Sequence, residues 1–576
     1  MEMKRRHFLG GMLATGVLPA LGVPESGRIA RIGLMTDTHV LTTLESCNRV
    51  KAALTLFKAK GAEMVINCGD IADNHYPEGY RFYRQTVNTV YPEAETRPRE
   101  IFIYAWHDLI NHEPYTGGKT DYVAAFENLR KEIQAPNPPF CDFVWKGLPF
   151  VVSTQCVGQK GFPTWDEYAK TIARVCAENP GKPVFVCDHV PPAGTTFHSR
   201  QWGNETLRDI LNRFPQVVSL SGHVHGTLAC ERQIWQGQFT AINAGCLQTW
   251  GGFAPGSTPP PQAKPNFGAL VLDVFPDRIV AYRYDVRDGS EFGPPWVVPL
   301  PFVAMNAPYC PGVAAQCQKR PAFADGTAVT VRPVGTPVSG YAITIPETTV
   351  GPASFMYRIR CQRKNADGEW ESFTQDDIFG EFWKAKKDRT GQSHHTLATG
   401  FFTPGETYRV AVSPVDFFYR ETPPAFGTFT ATHEPPRLLW ESDNPMDTQR
   451  FSEYGKTVER APDGSFAPPS GQGTFWLPDN LFAKVEKGKR HQLVVDIDSD
   501  QPYGEWCAWR VALQGRNSPN RICEVQTVPG KPGTLRYVFA FTPPGNRPFP
   551  ESCNLLFNYK SPHSALRIRH IRLICG

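Results

Sequence analysis

Between Arg28 and Pro301 the chain alternates short β-like runs with helical ones, and the β runs stop at aspartates and histidines. Arg31–Thr36 ends at Asp37, and Glu63–Cys68 ends at Gly69-Asp70. Glu100–Ala105 ends at Trp106-His107-Asp108, Pro183–Cys187 ends at Asp188-His189, and Val217–Leu220 runs into Gly222-His223. Val50, Leu54, Leu56 and Phe57 mark one helix between them; Tyr80–Val90, Tyr122–Ile133, Trp165–Ala177 and Leu207–Phe214 read as others. Such alternation predicts a layered α/β domain over residues 28–301. Open α/β sheets place their ligands just past the carboxyl ends of strands, which is where these polar residues fall.

Carboxylates and imidazoles are the groups that hold divalent transition metals. Side chains two apart in an extended segment point to one side. Asp37 with His39, and His223 with His225, can therefore each offer two ligands from one edge. A lone His or Asp is more often a structural hydrogen-bonding group, and Asp188 can be read either as a partner that orients a ligand or as a plain strand-end group. A whole set of such residues after separate β runs is not explained that way.

The ordered set is Asp37-Thr38-His39, Gly69-Asp70-Ile71-Ala72-Asp73, Ala105-Trp106-His107-Asp108, Asp188-His189 and Gly222-His223-Val224-His225. It resembles the calcineurin-like metallophosphoesterases, whose pattern is D-x-H, G-D-x-x-D, G-N-H-[DE], a lone H and G-H-x-H. The resemblance spans roughly the first half of the chain. It implies an α/β fold, the four-layer α/β/β/α metallophosphoesterase sandwich, and two divalent metal ions, for which Mn, Fe and Zn all fit O and N ligands. By position, Asp37, His39 and His225 would hold one ion, Asp70 would bridge, and His189 and His223 would hold the other. His107 matches the histidine that faces substrate, and Asp73 the carboxylate that steers it. The purple acid phosphatase variant is not expected, because the Tyr it needs three residues after the bridging Asp is absent. The implied activity is hydrolysis of a phosphomonoester or phosphodiester by a metal-bound hydroxide, with His107 stabilising phosphoryl oxygens or protonating the departing alkoxide.

One position departs from the pattern. Trp106 stands where the family has Asn, and an indole N–H donates but does not ligate a metal. The second ion is thus expected to bind weakly or to be missing. Another register, Asn111-His112-Glu113, offers N-H-E; Trp106-His107-Asp108 is preferred because it follows its β run directly. The same departure motivates an alternative function, a metal-site domain with weakened catalysis that serves as a surface or glycan binding protein.

After Pro301 the pattern changes. A Pro/Cys-rich connector near 302–327 precedes the short β runs Val329–Arg332, Tyr341–Ile345, Phe355–Cys361 and Tyr408–Ser413. Thr403-Pro404-Gly405-Glu406-Thr407-Tyr408-Arg409-Val410 resembles the tyrosine-bearing strand entry of fibronectin type III domains. A β-sandwich over 328–436 and a jelly-roll or galactose-binding-like domain over 437–576 are expected. In the latter, Leu493, Val495 and Ile497 alternate with polar neighbours. Leu566, Ile568, Ile571 and Leu573 keep that alternation with one phase shift, as a bulge would give. These β modules would position the enzyme on a glycan or cell-surface polymer. Trp440, Trp476, Tyr503, Trp506 and Trp509 are read as core before sugar-stacking residues, and Lys484, Lys487, Lys489 and Arg490 as a solvated turn.

The formal charge of +4 leaves no broad patch for nucleic acid. Residues 1–24 read as an export signal of twin-arginine type: Arg5-Arg6 precede a short, glycine-broken apolar stretch, and no membrane-spanning run follows it. A periplasmic or secreted location is therefore expected. The 15 cysteines are an odd number; Cys310 with Cys317, and pairs among Cys507, Cys523, Cys553 and Cys575, are the natural disulfide candidates.

Overall fold

The structure is a computed structural model that describes residues 27–41, 43–72, 77–109, 122–247, 267–302, 307–317, 319–383, 389–443, 451–453, 456–459, 462, 471–477, 481–499, 509–515, 521–527, 533–544, 549–550, 553–559 and 566–576. The expected export signal, Asp73, the register Asn111-His112-Glu113, Tyr503, Trp506 and Cys507 lie outside them. Among the described residues no helix is long and apolar enough to cross a membrane.

Two six-stranded sheets build the first half. One has the order β12-β11-β10-β1-β2-β3, from β1 (Ala30–Met35), β2 (Met64–Asn67), β3 (Arg99–Phe102), β10 (Gly268–Val274), β11 (Arg278–Asp285) and β12 (Trp296–Pro299). The other has the order β4-β5-β6-β7-β9-β8, from β4 (Cys141–Trp145), β5 (Leu148–Val152), β6 (Val184–Cys187), β7 (Val217–Ser221), β8 (Ile234–Gln236) and β9 (Thr240–Asn243). The strands β1-β2-β3 run parallel, as do β5-β6-β7-β9. Most of their residues are apolar and buried because both faces are covered. Ile32, Leu34 and Ile66 from one sheet share a core with Phe150, Phe185 and Leu220 from the other. On the first sheet's opposite face lie α1 (Asn48–Lys60), α2 (Pro77–Val90) and α4 (Tyr122–Ile133), through Val50, Phe57, Tyr83 and Leu129. The second sheet's opposite face is covered by α5 (Trp165–Glu178) and α7 (Glu205–Leu211), through Tyr168, Ile172, Leu207 and Leu211. Thr164 opens α5 with a capping box: its hydroxyl accepts from Glu167 N, and the Glu167 carboxylate accepts from Thr164 N.

The parallel strands of both sheets deliver their carboxyl ends to one edge of the shared core. Glu100–Ala105, read as one β run, is shorter as a strand: it ends at Phe102, and the chain turns away so that Trp106–Leu109 forms a single helical turn (α3).

Beyond residue 330 the described sheets contain only antiparallel pairs. Thr330–Val334, Gly340–Pro346 and Gln392–Ala398 form a three-stranded sheet facing the four-stranded one of Trp370–Phe379, Met356–Lys364, Thr407–Val415 and Ala425–Thr430. Tyr341, Ile343, Ile359 and Val412 fill the space between them. The connector carries a short helix at Pro311–Cys317. Farther on, Leu493, Phe539, Leu555 and Leu573 unite a four-stranded and a six-stranded sheet. The phase shift in the last strand is a bulge. His570 pairs with Asp496 and Ile568 with Ile497, so Arg569 is the extra residue and both Ile568 and Ile571 stay buried. Cys575, an expected disulfide partner, is a free thiol.

Candidate metal centre

Each polar motif occupies the turn that leaves a parallel strand. Asp37 and His39 follow β1, Asp70 follows β2, His107 lies on α3 after β3, His189 follows β6, and His223 and His225 follow β7. The turns are tight. Asp37 (φ 50°), His39 (40°), Asp70 (48°), His223 (71°) and His225 (47°) all have left-handed backbone. Such conformations cost of order 1 kcal/mol or more per non-glycine residue and collect where function requires them. The two extended D-x-H and H-x-H readings are corrected here. The side chains of each pair converge because alternate residues are in the left-handed region, not because the segment is a strand.

Two buried groups result. Asp37, His39, Asp70 and His225 bring one ligand atom each to within 4.8 Å of one another, and so do Asp70, His189 and His223. Asp70 belongs to both. Its Oδ2 is 3.7 Å from His39 Nε2 and 3.2 Å from His189 Nε2, while its Oδ1 accepts from His107 N at 3.2 Å. In the first group His225 Nε2 lies 2.9 Å from Asp37 Oδ1 and 3.2 Å from His39 Nε2. In the second, His223 Nδ1 lies 3.2 Å from His189 Nε2. Imidazole nitrogens this close cannot both carry a hydrogen between them. A lone pair facing a proton, or two lone pairs facing a cation, satisfies the geometry. The donor set of carboxylate oxygen and imidazole nitrogen fits divalent transition metals.

Backbone groups fix these side chains. His189 Nδ1 is 2.7 Å from the Cys68 carbonyl, which only accepts, so Nδ1 carries a hydrogen and Nε2 is the nitrogen turned toward Asp70. Asp37 Oδ2 accepts from Thr36 Oγ1 (2.8 Å) and His223 N (2.9 Å). Asp108 ties two loops together: Oδ1 accepts from Ile71 N (2.9 Å) and Ala72 N (3.1 Å), and Oδ2 from Ala105 N (3.2 Å). The His107 ring meets that of His39 edge to face, with centroids 4.8 Å apart. Trp106 is exposed, and its backbone N–H donates to Gln155 Oε1 at 2.8 Å.

The electrostatics call for positive charge. Burial alone would raise the pKa of Asp37, yet the His225 and His39 imidazoles hold its carboxyl well below the usual range. Burial likewise opposes ionisation of Asp70, and His189 overrides it. In return, His189 is raised to about 9 against its own desolvation, chiefly by Asp70. Burial would lower His225 too, but Cys246 and Asp37 raise it well above normal. Burial and the facing His189 push His223 down to about 4, against the opposing pull of Asp70 and Asp37.

All six candidate ligands therefore lie in these two groups, and His107 stands beside them. Asp73 is outside the described residues. Asp188 is the plain strand-end group rather than an orienting partner of His189: its Oδ2 accepts from Tyr168 Oη at 2.6 Å. Sequence reasoning missed Cys246, a buried thiol engaged with His225, and Trp202, whose indole meets the His223 ring. The strand Thr240–Asn243 ends three residues before Cys246, but a cysteine there reads as a small buried residue.

Residues 30–227 match the calcineurin-like phosphoesterase family. No curated protein matches the chain. Among solved structures it is similar to a dimetal phosphatase from Danio rerio, at 11% identity over 47% of this chain and 99% of that one, with a TM-score of 0.32. It is also similar to a purple acid phosphatase from yellow lupin (Lupinus luteus) seeds, at 13% identity over 46% of this chain and 53% of that one, with a TM-score of 0.33.

Proposed function

We propose that the chain is a metal-dependent phosphoesterase whose centre holds two divalent ions. The observation that carries this reading is the single carboxylate, Asp70, shared by two buried ligand groups. Asp37, His39 and His225 hold one ion, and His189 and His223 the other. Ions in such a site supply positive charge to phosphoryl oxygens and lower the pKa of bound water toward neutrality. The second ion is the weaker one, because Trp106 supplies no ligand atom.

His107 is placed to act on the ester. Its backbone N–H is anchored on Asp70 and its ring lies against His39, so the imidazole stands over the centre without being needed as a ligand. From there it donates a hydrogen bond to a phosphoryl oxygen and passes a proton to the leaving alkoxide. Asp73 is assigned to steer it. The sequence spacing and the shared cores support a four-layer α/β/β/α domain followed by two all-β domains over 328–436 and 437–576. The hydrogen bond from Thr403 N to Tyr408 Oη (2.8 Å) supports a fibronectin-type corner in the first of these. Arg5-Arg6 supports export, which would put the β domains in reach of a surface glycan.

Hydrolysis of p-nitrophenyl phosphate and bis-p-nitrophenyl phosphate with added Mn²⁺ tests the function. His225→Ala and Asp70→Asn are expected to lose bound metal, whereas His107→Ala keeps metal and loses about 10²-fold or more in rate. Normal metal content in both ligand variants contradicts the assignment. The departure at Trp106 favours a second reading, a metal-site binding protein; metal-loaded protein inactive on a broad phosphoester panel would establish it.

A further inference from the structure

Two tryptophans on the loops that carry residues of this centre are exposed. Trp106 directly precedes His107 and is 41% exposed. Trp202 is 45% exposed and meets the His223 imidazole at 81°, with ring centroids 6.2 Å apart. They come from different sheets: Trp106 follows β3 of the first, and Trp202 lies in the loop that follows β6 of the second. Scattered exposed apolar residues need no explanation. Two tryptophans beside one ligand cluster are different, because indoles are large, rigid and suited to stacking.

Both are held on fixed backbone. At Trp106 consecutive N–H groups are committed: Ala105 N to Asp108 Oδ2, Trp106 N to Gln155 Oε1 and His107 N to Asp70 Oδ1. Trp202 ends a single helical turn, Ser199–Trp202. Ser199 Oγ donates to Thr196 O (2.7 Å) and accepts from Thr195 N (2.8 Å), and Gly203 N donates to Ser199 O (2.7 Å). Just upstream, Phe197 is buried against Phe355 and Tyr419 of the following β-sheet region. Little ordering entropy remains to be lost when a flat ligand settles on such a wall.

We propose that Trp106 and Trp202 form the leaving-group subsite and select phosphoesters whose alcohol carries a planar ring, either an aryl group or a nucleoside. This rests on the phosphoesterase reading and names its substrate class. The phosphoryl group sits at the Asp/His centre and the ring stacks on indole. Stacking on an aromatic side chain is tolerant of ring identity, because every such ring has a π-face. The subsite therefore discriminates ring from no ring rather than one ring from another.

The test uses full-length, Mn²⁺-loaded protein and two probes with the same 5′-alkoxide, adenosine 5′-phosphate and ribose 5-phosphate, together with their methyl diesters. Calorimetry reads binding and phosphate release reads turnover. The nucleoside member of whichever pair binds is expected to bind at least about tenfold more tightly. Trp202→Ala should cut that preference to about threefold or less, while Trp202→Phe keeps most of it. Equal affinity within both pairs, failure of every probe to bind, or a preference that survives in both Trp106→Ala and Trp202→Ala overturns the subsite. Turnover without preference overturns the subsite alone. Preference without turnover of any probe overturns the hydrolytic reading and leaves the subsite standing.

Discussion

The His225 ring is gripped by more than its place in the ligand group. Its Nε2 faces Asp37 Oδ1 at 2.9 Å, and the ring also hydrogen-bonds the buried Cys246 side chain. The Cys246 thiol in turn reaches the Asp37 carbonyl at 3.7 Å. One sulfur thus ties together the residue that begins the first motif and the one that ends the last. Partners of this kind orient ligating imidazoles, and losing one typically costs 10–100-fold in metal affinity. Cys246→Ala should therefore weaken Mn²⁺ binding about tenfold in a chelator competition, and Cys246→Ser should recover part of the loss. Unchanged affinity in the alanine variant would remove Cys246 from the site. The residue was not legible beforehand. A cysteine outside any paired spacing reads as a small buried apolar group, and only the fold shows that its neighbour is a ligand. His223 and His225, by contrast, announced themselves, because a G-H-x-H at a strand end has few structural uses.

At the scale of elements, what the sequence showed was where strands stop, and what it concealed was how the chain turns afterwards. The β runs ending at Asp37, Asp70, His189 and His223 were readable because strands covered on both faces are mostly apolar. The hairpin of β4 and β5 was not. Its two-residue turn, Lys146-Gly147, has positive φ at both positions (49° and 74°), and lysine gives none of the Asn-Gly or Asp-Gly signal that such turns usually carry. Nor did the sequence reveal how closely the G-H-x-H turn approaches β1. A Cβ on Gly222 would fall 1.8 Å from Thr36 Oγ1 and 2.6 Å from Asp37 Oδ2. Real atoms do not approach so closely, and both neighbours are buried and hydrogen-bonded to each other. Gly222→Ala must push the β7 turn away from β1, which separates His225 from Asp37. The expected result is loss of metal from the first group with the sheet intact, read as falling Mn²⁺ stoichiometry beside an unchanged far-ultraviolet circular dichroism spectrum. Full occupancy in the alanine variant would show that the two turns are not in contact.

At the scale of the whole molecule, the loop after His189 joins the metal-bearing half to the β-rich half. Phe197 and Cys230 from the first share a buried cluster with Phe355, Trp383, Phe417 and Tyr419 from the second. Arg232 extends the seam. Its guanidinium donates to Phe417 O at 3.1 Å and lies 5.3 Å from the Phe197 ring centroid and 5.8 Å from that of Tyr419. Connections between domains are more often polar and mobile. An aromatic seam of this kind makes the two halves unfold together and keeps the Trp202 wall in place. Phe355 is fully buried and stacks edge to face on Phe197, with centroids 5.7 Å apart, so a double-mutant cycle addresses that contact directly. Phe355→Ala alone should cost about 3–5 kcal/mol, since it removes a buried ring and leaves a cavity. Phe197→Ala should cost less in the Phe355→Ala background than in wild type, with a coupling energy of about 0.5–3 kcal/mol, as residues in direct contact show. The cycle is read from denaturant unfolding followed at both halves. Effects that add to within about 0.3–0.5 kcal/mol would mean that the rings do not meet in solution. The β-rich half would then be a tethered neighbour that does not brace the loop carrying Trp202.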